Sequence, residues 1–180
     1  MAKTLTALTI ALLWILGTAA PSHAHGLHWA PARDVVTVWA HPNVIDAWSL
    51  PRAVRLWNDR TPPGAPTLRL NGDRALAEVI VRRVDRPAAG WVGMTYWDTG
   101  NHGNVQSARV ELNVGVADAS YFPHTDDLRA WTTLHELGHV LGVNWHTTSG
   151  IMSGDQPCTT GGWITDTDVD AVRHAVGAHP

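Results

Sequence analysis

Seven stretches of the chain carry a regular spacing of apolar and polar residues, and each predicts an element. Val35–Ala40 (VVTVWA) is rich in β-branched and aromatic residues and predicts a strand. Thr67–Leu70, Ala77–Val84 and Ser107–Val114 predict three more. In the last of these, Val110, Leu112 and Val114 alternate with Arg109, Glu111 and Asn113, predicting one buried face and one wet face. Helical spacing is expected over Ala47–Asp59, with Pro51 in the first turns, where its missing N–H costs nothing. A second helix is expected over Asp126–Leu141, with Thr125 as its cap and Gly142 placed to end it in a left-handed conformation. A third covers Asp166–Val176, capped by Thr165 or Asp166 and carrying a stripe of Val169, Val172 and Val176. Pro and Gly cluster at Thr61–Pro66 and Asp98–Asn104, where loops are expected. Strands come first and helices last, which is the order of an α+β domain.

Composition narrows this further. The chain has 180 residues, 44% of them hydrophobic and 16% charged, which suits one domain with a real core and excludes a disordered chain. Residues 1–24 have the pattern of an export signal: Lys3, an apolar stretch from Leu5 to Leu16, and Ser22-His23-Ala24 as a small-x-small cleavage site. The stretch is short for a membrane span, so a secreted, extracellular domain over residues 25–180 is expected, free of the membrane once the signal is cleaved; an uncleaved anchor is the alternative. Net charge is −3 over the whole chain, and loss of Lys3 makes the remainder slightly more acidic. With the arginines scattered along the sequence, nucleic acid is not an expected partner. A single cysteine, Cys158, excludes an internal disulfide framework.

The chemistry concentrates in His135-Glu136-Leu137-Gly138-His139-Val140-Leu141-Gly142-Val143-Asn144-Trp145-His146. Residues four apart share a helix face, so His135 and His139 can direct imidazole nitrogens at one metal ion. Glu136 lies about 100 degrees further round the helix, off the ligand row but within reach of a water at the metal, which suits a general base. Two histidines satisfied within an amphipathic helix are the plain alternative. The downstream glycine turn, the further histidine and Ser149-Gly150-Ile151-Met152-Ser153 favour a zinc site.

HELGHVLGVNWH followed by GIMSG resembles the metzincin clan of zinc peptidases, most of all its matrixin branch. AVRLWND (Ala53–Asp59) leading to TLRL resembles that branch's first helix and following strand, SARVELNV (Ser107–Val114) its edge strand, and ITDTDVDAVRHAVG (Ile164–Gly177) its last helix. The likeness covers most of residues 35–177. It implies a twisted, mostly parallel sheet with two long helices, a C-terminal helix, and a methionine turn in which Met152 forms an apolar floor beneath the metal. It also implies a zinc-dependent endopeptidase acting on protein or peptide substrates, which would pair as extended chains with Arg109–Val114. Val143, Asn144 and Pro157 are candidates for the main side-chain pocket.

The chain departs from the family pattern in three places. The third ligand of HExxHxxGxxH falls on Trp145, which cannot ligate, and His146 follows one residue late. His146 is the favoured third ligand, since a bulge after Gly142 can absorb one residue; Asp168 or Asp170 is the competing ligand, with helix capping as their plainer role. Only ten residues separate Ala24 from the first strand, too few for a latency segment with a metal-capping cysteine. Gly154 stands where some metzincins place a tyrosine, so oxyanion stabilisation would fall to Glu136 and the metal. Asp98 and Asn104 are candidate calcium ligands, with a plain turn as the alternative.

Two readings from other classes remain. The displaced histidine suggests a catalytically inactive metzincin-like binding protein. A mature chain beginning His25-Gly26, with His102 or His124, suggests a copper-binding histidine brace like that of lytic polysaccharide monooxygenases.

Overall fold

A computed structural model describes residues 27–30, 33–100, 104–118, 125–154 and 164–177. The expected signal segment, His25, His102, His124, Pro157 and Cys158 lie outside the described residues.

Five strands form one sheet: β1 (Val35–Ala40), β2 (Thr67–Leu70), β3 (Val79–Val84), β4 (Gly93–Thr99) and β5 (Val105–Asn113). Their order is β2-β1-β3-β5-β4, with all neighbours parallel except the β4–β5 pair. The helices are α1 (Pro42–Ile45), α2 (Leu50–Asn58), α3 (Val114–Ala117), α4 (Thr125–Val140) and α5 (Asp166–Ala175). The mixed α+β class agrees with the sequence pattern, and the mostly parallel sheet with what the resemblance implies. Among the described residues no helix is long and apolar enough to cross a membrane.

One face of the sheet carries the core. Val36, Val38, Val79, Val81, Val110 and Leu112 are buried there, as are Leu50, Val54 and Trp57 of α2 and Leu134, Leu137 and Val140 of α4. Trp57 joins the two helices, its indole donating to the Leu134 carbonyl at 2.8 Å. Trp29 and Trp97 donate likewise to the Val140 and His139 carbonyls, so three indoles from separate elements fix the C-terminal half of α4. The Val140 carbonyl has no partner within the helix and the Trp29 N–H supplies one, while the His139 carbonyl takes the Trp97 N–H besides that of Gly142.

Three sequence expectations need correction. The helix predicted from Ala47 begins at Leu50, because Ser49 takes a left-handed conformation (φ 52°) that separates it from the short α1. Strand β4 was not anticipated, and its presence makes β5 an interior strand; the free edge beside α4 therefore belongs to β4, not to Arg109–Val114. Glu111 and Asn113 are buried and not wet. Glu111 is held by Arg82, Arg86 and Arg109, while Asn113 bonds the backbone of Arg86 and Trp91.

Candidate metal centre

Helix α4 ends as its sequence predicts. Gly142 has φ 110°, its N–H reaches the His139 carbonyl, and the Val143 N–H reaches that of Gly138, which is the Schellman pattern. This sharp stop returns the chain towards the histidine face of α4. Asn144 is exposed, Trp145 packs edge-to-face against His174 of α5 at 5.6 Å, and His146 meets the other two histidines. Trp145 turns towards α5, so His146 and not Trp145 faces the other two histidines.

The ring centroids of His135, His139 and His146 lie 4.7, 5.1 and 5.4 Å apart. One ligand atom from each lies within 4.8 Å of the others, so the three can hold a single metal ion. His135 and His139 are buried, whereas His146 is exposed.

The hydrogen bonds around the rings support this fit. Nδ1 of His135 meets the Ile151 carbonyl at 2.7 Å, and Nδ1 of His139 meets the Val143 carbonyl. A carbonyl only accepts, so each Nδ1 carries the proton and each Nε2 presents a lone pair. Yet the two Nε2 atoms are 3.1 Å apart. Two lone pairs at that distance repel unless a cation lies beside both. A proton is a poor candidate: burial and then the neighbouring His139 push His135 down to about 4, and burial lowers His139 as well. A tetrahedral ion with nitrogens at 2.0–2.1 Å holds them about 3.3 Å apart, close to what is seen.

The floor of the site comes from the turn at Ile151–Met152. Met152 is fully buried, and a Cβ on Gly138 would collide with its sulfur, so the glycine of HELGH makes room for it. The turn is anchored by Asp168 of α5. Its buried carboxylate accepts from Ile151 N (3.0 Å), Met152 N (2.9 Å), Thr165 N (2.7 Å) and Thr165 Oγ1 (2.7 Å). Asp168 thus closes a capping box and supports the turn whose Ile151 carbonyl orients His135. It is not in the histidine cluster, and neither is Asp170, which pairs with Arg173. Thr147, next to His146, is tied to the same turn through its N–H to the Met152 carbonyl at 2.9 Å. A Cβ on Gly154 would stand 2.9 Å from His146 Nδ1, so the absence of a larger residue there leaves room for the third histidine.

Glu136 is buried between α4 and β4. The Thr95 hydroxyl donates to its Oε2 at 2.6 Å, and Gly93 lets Oε1 approach the strand so closely that a Cβ would come within 2.5 Å. Burial raises its carboxyl to about 7, against the opposing effect of the Thr95 hydrogen bond. Trp131 stacks on His135 with centroids 5.0 Å apart. The sequence reading missed Gly93, Thr95 and Trp131; for Trp131 the signal was its place four residues before His135, on the same helix face. It also offered Val143 as a pocket residue, but that side chain is fully buried. Asp98 lies within β4 and accepts from Ser107 at 3.2 Å, and residues 101–103 of the loop that follows lie outside the described residues.

Fold and site together define an α+β protein with a three-histidine cluster able to hold a metal ion. No protein-family model matches the chain, and no curated protein matches it.

Proposed function

We propose that the protein is an exported zinc endopeptidase of the metzincin type, resembling the matrixins in motif and in strand and helix order. The observation that carries this reading is the pair of buried, carbonyl-fixed imidazoles converging with His146, one residue away from a buried carboxyl. Three imidazole nitrogens suit zinc, and three protein ligands with one open position is the pattern of catalytic zinc. Bound there, the ion would polarise the scissile carbonyl and acidify its water.

The chain's own residues do the rest. Glu136, with a carboxyl near neutrality, takes a proton from the water whose oxygen adds to the carbonyl carbon, then delivers it to the amine nitrogen as the C–N bond breaks. Thr95 fixes which carboxyl oxygen stays occupied and so orients the other. The edge of β4 takes an extended peptide by main-chain hydrogen bonds, which grip many sequences alike. Broad cleavage of unfolded proteins follows.

The test combines metal analysis with hydrolysis of denatured casein. One equivalent of zinc is expected, with cleavage abolished by a chelator and restored by added zinc. Bound zinc with no cleavage would favour the inactive binding protein, and copper without zinc the histidine brace.

A further inference from the structure

The arginines that look scattered in the sequence are gathered on the outer face of the sheet, opposite the helices. Arg82 of β3 and Arg109 of β5 project there, Arg74 lies in the short turn before β3, and Arg33 and Arg86 flank them. Arg33, Arg74, Arg82, Arg86 and Arg109 lie on this side with the carboxylates of Glu78, Asp98 and Glu111, while Asp73 caps the Arg74 turn and Asp85 sits at the margin, in a chain that is negative overall. Glu111 and Glu78 are largely withdrawn from the surface, while Asp98 is exposed among the arginines. Glu111 is 1% exposed and Glu78 is 16% exposed, whereas Arg82, Arg86 and Arg109 are 44–52% exposed. Three guanidiniums share the single Glu111 carboxylate, and each stays about half exposed to solvent. Arg74, Ile80, Arg82, Tyr96, Asp98 and Arg109 line a depression of about 540 Å³ here, and Arg82 also borders a second of about 290 Å³ with His41, Arg83 and Asp85.

Strand β4 connects this face to the metal centre. Its Thr95 and Trp97 touch α4, while Tyr96 and Asp98 point outward. A peptide added to the free edge of β4 turns alternate side chains to these two sides. Arg109 stacks over Tyr96 at 4.5 Å, which brings its charge from β5 onto β4, about one strand spacing of 4.8 Å from such a peptide.

We infer that this face is a docking surface for acidic peptide segments, so that preferred substrates carry Asp or Glu flanking the cleaved bond; the substrate role rests on the peptidase reading. Planar guanidiniums pair carboxylates in two-bond forks, and the aromatic faces beside them are already covered by Arg74 over Trp39 and Arg109 over Tyr96. That leaves charge pairing, and not ring stacking on a sugar or base, as the recognition on offer.

The binding test uses fluorescent poly-L-glutamate and the Glu136→Ala protein, which keeps cleavage out of the measurement. Binding is expected at 50 mM salt, weakening about tenfold by 200 mM as screening grows. It should weaken at least tenfold further in Arg74→Gln/Arg109→Gln, with Arg74→Gln alone, which leaves the Glu111 pairs intact, falling between. No binding at 50 mM salt, or binding indifferent to these substitutions, overturns the inference. So does stronger competition by heparin or duplex DNA than by poly-L-glutamate at equal charge. The kinetic test compares two peptides that differ only in an acidic or neutral flank. A KM at least fivefold lower for the acidic one, lost in the double variant with kcat unchanged, is expected; equal KM values overturn the substrate role. If neither peptide is cleaved, the peptidase reading fails while the binding test still decides the surface.

Discussion

Replacing Asp168 by Ala tests whether α5 holds the metal centre together from outside. The carboxylate is fully buried and accepts four hydrogen bonds, two from the backbone of the methionine turn and two from Thr165. Hydrogen bonds to a charged group contribute about 1.5–3 kcal/mol each, but they share one acceptor and do not add in full. Orphaning four donors in a closed site should cost roughly 4 kcal/mol, within the range for breaking a buried polar network. At about 2–4 °C per kcal/mol for a domain of this size, the metal-free protein should melt roughly 8–16 °C lower. Loosening the turn also frees the Ile151 carbonyl from its place against His135 Nδ1, so zinc affinity should fall about 10- to 100-fold, as for other outer-shell losses. Asp168→Asn separates the two effects. With its oxygen placed at the Oδ2 position it keeps the bonds from Ile151 and Thr165 and loses that from Met152, so both changes should be smaller. The assays are thermal unfolding in chelator and zinc titration against a competing dye. An Asp168→Ala protein that melts within 2 °C of wild type, or that binds zinc as tightly, would refute the reasoning.

Other outcomes follow from the same geometry. His146→Ala should weaken zinc binding by more than the roughly 10- to 100-fold cost of an outer-shell change, and full retention would remove His146 from the ligand set. Thr95→Val removes a hydrogen bond that lowers the Glu136 pKa, so the acidic limb of the kcat profile should move to higher pH; an unmoved limb would separate Thr95 from the base. In the metal-free protein, His135 and His139 have lowered pKa values, so their contribution to stability is full above about 6.5 and is lost as pH falls, for His135 down to about 4. Glu136, raised to about 7 from 4.5, acts in the opposite sense, since protonation down to pH 4.5 favours the folded state. Glu136→Gln should therefore steepen the loss of stability between pH 6.5 and 4.5, measured as the urea midpoint in chelator; an unchanged slope contradicts the buried-carboxyl assignment.

Most of this framework can be read from residue patterns, and what escapes has physical causes. β1 and β2 match their predicted ranges, α4 lies within one residue of its own, and the left-handed Gly142 was placed correctly, because local spacing and caps decide those features. β4 escaped because its alternation is inverted: polar Thr95 faces inward to bond Glu136, and Tyr96 faces outward beneath Arg109. Glu111 looked like a wet residue because its three arginine partners come from β3, the loop after it and β5, which no local window joins. The histidine cluster was legible as HELGH plus a nearby third histidine. Asp168 was legible only as a cap or a rival ligand, since its grip on the methionine turn spans 16 and 17 residues.

The most direct test compares Glu136→Ala with wild type for zinc content and casein hydrolysis in one preparation. The variant should retain one equivalent of zinc and lose turnover. A variant that still hydrolyses casein at the wild-type rate would contradict the assignment of Glu136 as the proton carrier beside a three-histidine metal centre.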